Sequence, residues 1–512
     1  MSTLDDLPAP VRALLRAKGH ELTTPATRRI FTNRDLDFEQ IAVVGFDMDY
    51  TLARYRQQAL DQISIDVTLD KLLARGYPEM IREIRSDTDF AIRGLVVDKR
   101  LGNLLKMDRH GHVGRVHHGV EQLSSAQRKQ IYRAQRVGGE RGRFAYVDTL
   151  FSLPEVVVYA NLVTMLDQRP EAWPDGERPS YAKVFDDVRQ AIDEAHQDDS
   201  IKTEIKRDPG RFLHDDPELA PTLHKLRSAG KKLFLLTNSF APYSDAVMRF
   251  LLGNKLPSYE DWTKYFDWTI VGARKPSFFR DGHPLLEVKR DGSVIAGHDG
   301  PPLKNRLYQG GNFDALQAAL GVPPDAVLYV GDHIYGDIVQ PKKSSGWRTA
   351  LVVDDLEHEL AVRRDYAVAM QEIETLSTLR DQLAEEVAHE RHLQRALSSL
   401  APEGLAAFGV EPGTGESMID GSVAAARGRF DRLRRHSNEV SALLDTRARE
   451  VDAAFNPYWG SVFAEGTDAS KFGAQLEDYA CLYTSRVSNF LFVSPNRYFR
   501  APHGAMPHWR RF

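Results

Sequence analysis

The chain has very little cysteine: one residue, Cys481, in 512. An intrachain disulfide and a thiolate zinc site are therefore excluded, and the usage fits a reducing compartment. An excess of charge of either sign is also missing. Lysine plus arginine number 67 and aspartate plus glutamate 72, a net −5, which argues against a dedicated nucleic-acid binder. Long apolar runs are scarce. The most apolar stretch, Leu153 to Leu166, is interrupted by Glu155 and Asn161 and falls short of a membrane span. Met1 to His20 carries Asp5, Asp6 and several arginines around no apolar core, so no secretory signal is expected and the cytoplasm is the expected location. No GxxxxGK[ST] loop occurs, which leaves nucleoside-triphosphate hydrolysis by that route unsupported.

What is present is an alternation. Four short apolar runs, Ile41–Phe46, Lys232–Leu236, Trp268–Val271 and Ala326–Val330, end abruptly in polar residues, and a fifth, Thr349–Val353, follows shortly after. Helical patterns such as Pro217–Ser228 and Phe313–Leu320 lie between most of them. That pattern predicts an α/β fold with a parallel sheet, whose ligand sits at the carboxyl ends of the strands. The gap between the first two runs is far longer than a βα connection of roughly 2–6 residues. The expected organisation is an N-terminal segment with the first core strand (1–54), an inserted domain (55–214), the rest of the core (215–355) and a helical C-terminal region (356–512). The insertion should hold a hairpin over Asn103–Val116 and helices around Leu153–Leu166 and Tyr181–His196; a second hairpin turns at Asp291-Gly292. Possible C-terminal helices are Leu356–Leu397, Gly421–Phe455 and Ser470–Val493, with a glycine- and proline-rich linker over Ala401–Ser417.

The polar clusters follow the strands. The first is Asp47-Met48-Asp49-Tyr50-Thr51-Leu52, where one carboxylate can attack and the other can move a proton. Thr237-Asn238-Ser239 offers hydroxyls and an amide to phosphate oxygens, Arg274-Lys275-Pro276 a cation, and Gly331-Asp332-His333-Ile334-Tyr335-Gly336-Asp337 acids for a hard metal ion. Each cluster alone is an ordinary turn, cap or solvated charge. In this order, each after a strand, they resemble the four motifs of the haloacid-dehalogenase-like phosphatases. The resemblance implies a Rossmannoid parallel sheet with a large inserted cap. It implies Asp47 as nucleophile, Asp49 as general acid and base, and Thr237 and Lys275 on the transferring group. Mg²⁺ would be held by Asp47, the Asp49 carbonyl and Asp332, with Asp337 in support.

Phe46–Leu52, Arg93-Gly94-Leu95, Gly102–Lys106, Gly331–Ile338 and Gly346–Thr349 further resemble the cytosolic purine 5′-nucleotidase family, from about Arg29 to Met506-Pro507-His508. The resemblance implies a purine nucleoside monophosphate substrate, IMP or GMP preferred, and transfer of the phosphoryl group to another nucleoside as a second outcome. It places Phe151 against the base, and Arg189, Asp193, His196 and Lys202 around the base and sugar–phosphate, with Asn238 and Ser239 on the phosphate. Arg189, Asp193 and His196, at i, i+4 and i+7, share one helix face. Gln197 stands where animal members have a second aromatic, and Gly138 and Asp148 replace effector-site residues, which leaves nucleotide activation in doubt. Another phosphate ester as substrate, or a non-catalytic nucleotide sensor on this fold, are the alternatives. The four histidines His110, His112, His117 and His118 fall on both faces of their hairpin and suggest no metal site. His503 and His508 with Arg510 and Arg511 read as an exposed tail. A homo-oligomer is expected, its contact drawn from Leu476, Tyr479, Tyr483, Phe490 and Phe492.

Overall fold

The computed structural model describes residues 25–133, 137, 140, 142–173, 178–398 and 414–502. Gly138, Met506-Pro507-His508, His503, Arg510, Arg511 and most of the 401–417 linker lie outside these described residues.

Ten strands form one sheet. They are β1 (Phe31–Thr32), β2 (Val43–Phe46), β3 (Lys232–Leu236), β4 (Trp268–Val271), β5 (Leu285–Val288), β6 (Val294–His298), β7 (Leu307–Gly310), β8 (Val327–Gly331), β9 (Arg348–Val352) and β10 (Leu482–Thr484). Their spatial order is β1-β10-β9-β8-β2-β3-β4-β7-β5-β6. Every pair from β10 to β7 is parallel, and the edges β1, β5 and β6 pair antiparallel. β2 is wholly buried, which is why it reads as a continuous apolar run rather than an alternating one. Gly45 in β2 is required by its neighbour: a Cβ there would lie 2.0 Å from the ring of Phe234 on β3. Phe234, Tyr329 and Trp347 fill the layer beneath the sheet. This is the α/β architecture with a parallel sheet expected from the sequence.

The long segment between β2 and β3 leaves and returns at one place. The Arg56 amide donates to the Phe212 carbonyl at 2.7 Å, and that of His214 to the Arg54 carbonyl at 2.9 Å. Between them lie a five-stranded antiparallel sheet and helices that include α1 (Gln57–Ala74), α2 (Leu153–Gln168), α3 (Tyr181–Gln197) and α4 (Ser200–Arg207). Among the described residues, only the stretch Leu150–Gln168 is long and apolar enough to cross a membrane, and 67% of it is buried inside the fold. Arg93, fully buried, donates to Asp355 at 2.6 Å and sits over the Phe472 ring, fastening this segment to the sheet.

Two compact units result, residues 1–358 with 461–512, and residues 359–460. The second is a helical hairpin of α5 (Ala367–Ser398) and α6 (Thr414–Phe455), antiparallel by its Glu372–Arg447 and Glu390–Arg429 ion pairs at 3.5 and 2.8 Å. Ile373, Leu376, Leu383 and Val387 recur in it at coiled-coil spacing and are among its half-buried positions.

The third C-terminal helix expected at Ser470–Val493 is a correction. The helix stops at Tyr479, and Leu482–Thr484 becomes β10, inside the main sheet. A run of three residues, Leu482-Tyr483-Thr484, fits either state, and pairing with β9 decides it. The same folding uses the side chains from which an oligomer contact was expected. Leu476 and Phe490 are buried, and Tyr483 stacks on Phe31 at 5.1 Å. Phe492 stays exposed, under Arg28.

Candidate active site

Each cluster read from the sequence sits at the carboxyl end of its strand: Asp47 after β2, Thr237 after β3, Lys275 beyond β4 and Asp332 after β8. Parallel register brings the four ends together, and they line a cavity of about 340 Å³ with Asp49, Asn238, Ser239, Phe151, His196, Lys202 and Asp337. Leu60, Thr149, Ile201, Ile205, Tyr243, Pro276, His333 and Gly336 complete the wall.

Lys275 is the electrostatic centre. Its Nζ lies 2.9 Å from Asp47 Oδ1 and 2.6 Å from Asp337 Oδ1, and it donates to the Tyr329 hydroxyl at 2.9 Å, with its side chain only 4% exposed. Asp47 Oδ1 touches the ammonium but accepts no well-aligned hydrogen bond. Burial raises the Asp47 carboxyl to about 7 against the pull of Lys275, with Asp337 and Asp49 raising it further. Burial, then Asp337 and Asp47, pushes Asp332 well above the usual carboxylate range. Asp47, Asp332 and Asp337 each offer an oxygen within 4.8 Å of the others. One lysine cannot balance these buried carboxylates, and an all-oxygen set short of positive charge is what a hard divalent cation such as Mg²⁺ fits.

Asp337 reaches this position because β8 ends in Gly331. A Cβ at Gly331 would lie 2.4 Å from the Asp337 Cβ. Gly331→Ala should therefore displace Asp337 and, through it, Lys275. We expect activity to fall at least about tenfold and stability by about 1–3 kcal/mol, read by steady-state assay and urea unfolding.

Asp49 is held on both oxygens. Ser239 Oγ donates to Oδ2 at 2.6 Å and the Tyr55 hydroxyl to Oδ1 at 2.6 Å. Asn238, expected on the phosphate, lines the cavity, while its amide pins the lysine loop. Nδ2 donates to the Lys275 carbonyl at 3.0 Å and Oδ1 accepts from the Lys275 amide at 2.6 Å.

The far end of the cavity comes from the inserted segment. Phe151 makes edge contacts with Tyr50 at 4.7 Å and His196 at 5.8 Å. Burial, then Lys202, lowers His196 to about 4, so its ring is neutral at pH 7. Lys202 lies over the Tyr243 ring at 5.8 Å. Arg189 and Asp193 do not line the cavity. They lie on α3 about 10 and 4.5 Å along the axis from His196. Asp193 is exposed, and Arg189 Nε donates to the buried Glu155 at 2.9 Å. Gln197 is exposed and outside the lining. Asp148 is raised by burial and faces His333 and Lys471. The four hairpin histidines do not converge: His110 and His112 are exposed beside Asp468 and Asp108, while His118 is fixed by Asn103 and Asp167.

Sequence reasoning passed over Tyr55, Tyr243 and Glu155. The tyrosines belong to no motif. Glu155 carried a signal, a lone acid inside the most apolar stretch of the chain.

Residues 30–511 match the model of a family described as the 5′ nucleotidase family. A 5′-nucleotidase domain-containing protein of Dictyostelium discoideum is 29% identical over 477 residues, covering 90% of this chain and 71% of that one. Among solved structures, a putative phosphatase from Clostridium difficile matches with 14% identity over 61% of this chain and 85% of that one, at a TM-score of 0.25. CbbY from Rhodobacter sphaeroides, in complex with phosphate, matches with 14% identity over 61% and 86%, at 0.23. Likenesses at such TM-scores carry no weight for the function.

Proposed function

Because the chain belongs to the 5′ nucleotidase family and is a phosphomonoester hydrolase, we propose that it hydrolyses purine nucleoside 5′-monophosphates, IMP and GMP preferred, through a phospho-aspartate on Asp47. The observation that carries this reading is the buried Asp47 beside Lys275, in one cavity with Asp49, Thr237 and Asp332.

Asp47 and Asp332, with the Asp49 carbonyl, are the residues that would hold Mg²⁺, supported by Asp337. When bound, the ion supplies positive charge to the transferring phosphoryl group. The chain's own residues do the rest. An Asp47 oxygen bonds to phosphorus as the bond from phosphorus to the 5′-oxygen breaks, and Asp49 gives that oxygen its proton. Water then attacks phosphorus, Asp49 takes a proton from it, and the bond to Asp47 breaks to release inorganic phosphate. Thr237, Asn238 and Lys275 surround the transferring oxygens and stabilise their spread charge, with Ser239 beside them donating its one proton to Asp49 Oδ2. A second nucleoside in place of water makes the reaction a phosphotransfer.

For the base, Phe151 supplies a stacking face and His196 a neutral edge, with Lys202 nearer the sugar–phosphate. Glu155 occupies only the Nε of Arg189, so its terminal nitrogens remain to donate to a 6-oxo group, and Asp193 to accept from N1–H. AMP reverses both polarities, at about 1–3 kcal/mol per mismatch, or roughly ten- to several-thousand-fold in kcat/KM. Asp193→Asn should narrow the IMP-to-AMP gap because the amide can donate to N1. Equal rates on AMP and IMP in the wild type would overturn this assignment.

One observation favours the second reading, a different phosphate ester: Leu60, Ile201 and Ile205 line the cavity where Arg189 and Asp193 do not. A panel of IMP, GMP, AMP, UMP and sugar phosphates, assayed with Mg²⁺ and with EDTA, separates the two. We expect activity to vanish in EDTA and return with Mg²⁺, and IMP and GMP to lead. The single cysteine, which is buried, fits the cytoplasm as the proposed location.

A further inference from the structure

The general acid–base residue of a phosphatase must present one particular oxygen to the reacting atoms. A free aspartate rotates about its Cα–Cβ and Cβ–Cγ bonds, so something has to fix it. Here the fixing groups are visible. The Tyr55 hydroxyl donates to Asp49 Oδ1 at 2.6 Å, and the Tyr243 hydroxyl lies 2.7 Å from that of Tyr55. A phenol has one proton to give. Since Tyr55 gives its proton to Asp49, Tyr243 is the donor to Tyr55, and the three groups form a directed chain ending on Oδ1. Both rings are nearly inaccessible, at 3% and 5% exposure.

The chain is also anchored from two parts of the fold. Tyr55 pairs with Leu213 where the inserted segment leaves and returns, beside the Arg56–Phe212 hydrogen bond. Tyr243 stands in the first turn of the helix Ala241–Leu252, just after the Thr237-Asn238-Ser239 loop. The base of the insertion, through Tyr55, holds Oδ1 directly, and the helix after the phosphate loop, through Tyr243, holds Tyr55 in turn. Oδ2, bonded to Ser239, remains to exchange a proton with the substrate.

We infer that Tyr55 and Tyr243 are positioning residues for proton transfer: they hold Asp49 by Oδ1 so that Oδ2 alone serves the leaving oxygen. This rests on the phospho-aspartate reading above and adds to it which residues aim the acid. Neither tyrosine touches the phosphorus, and neither gives up its proton in the reaction.

The test compares phospho-enzyme formation in rapid-quench experiments with Mg²⁺, using two substrates. IMP has an alkoxide leaving group that needs a proton, whereas p-nitrophenyl phosphate has one that leaves without it. In Tyr55→Phe and Tyr243→Phe, the rate from IMP should fall about ten- to a hundredfold, with KM changed less than about threefold. The rate from p-nitrophenyl phosphate should fall less than about threefold. Tyr243→Phe should add almost nothing in a Tyr55→Phe background, since the two act as one chain. Urea unfolding of each variant checks the fold, and Tyr243→Phe carries the comparison if Tyr55→Phe does not fold. Equal losses on both substrates, or no loss on IMP, would overturn the inference. A wild type that forms no phospho-enzyme from either substrate would overturn the underlying mechanism instead.

Discussion

Asp47→Asn is expected to abolish phosphate release, by at least about a thousandfold, while leaving the protein folded. A carboxamide has the shape of the carboxylate but no nucleophilic oxygen. Its carbonyl can keep the contact to Lys275, whose second partner, Asp337 at 2.6 Å, is untouched. Neighbouring Met48 and Phe46 are fully buried and fix the turn independently of the charge. Stability should therefore change by no more than about 1 kcal/mol by urea unfolding. A variant that kept substantial activity would remove Asp47 from the chemistry.

Lys275→Met is expected to damage both activity and stability. The ammonium is enclosed by Asp47, Asp337 and Tyr329. Removing it leaves buried carboxylates facing one another, which costs about 3–5 kcal/mol in EDTA. The added Asp337→Asn change should recover much of that stability by deleting the partner charge. It should not recover activity, which is expected to fall about a hundred- to a thousandfold for want of a cation on the transferring group. Lys275→Arg should rescue little, because a planar fork does not fit a slot shaped for a compact ammonium. Unfolding curves with and without Mg²⁺, beside steady-state rates, read both effects. Full stability in Lys275→Met would mean that this contact is not the electrostatic centre.

The parts of this molecule that were legible in the sequence are those where one physical demand dominates. Lys232–Leu236 and Trp268–Val271 are strands to the residue because buried parallel strands must be apolar throughout and must stop at the ligand edge. The position of Asp47, Thr237, Lys275 and Asp332 around one cavity follows from the same rule applied four times. Leu482–Thr484 was not legible, because a three-residue strand has no period of its own and exists through its pairing with β9. The face shared by Arg189, Asp193 and His196 was legible, but that only His196 reaches the cavity was not: that depends on how α3 lies against α2, where Glu155 takes hold of Arg189. Tyr55 and Tyr243 stand 188 residues apart and meet only through the crossing at the base of the insertion.

The central claim is a covalent bond between Asp47 and phosphorus. Rapid acid quench of the wild type during IMP turnover with Mg²⁺, followed by mass spectrometry of its peptides, tests it directly. A hydroxylamine-labile phosphoryl group on Asp47, formed and lost at rates that account for turnover, is the predicted result. Steady turnover with no such group, or with the phosphoryl group on another residue, would contradict it.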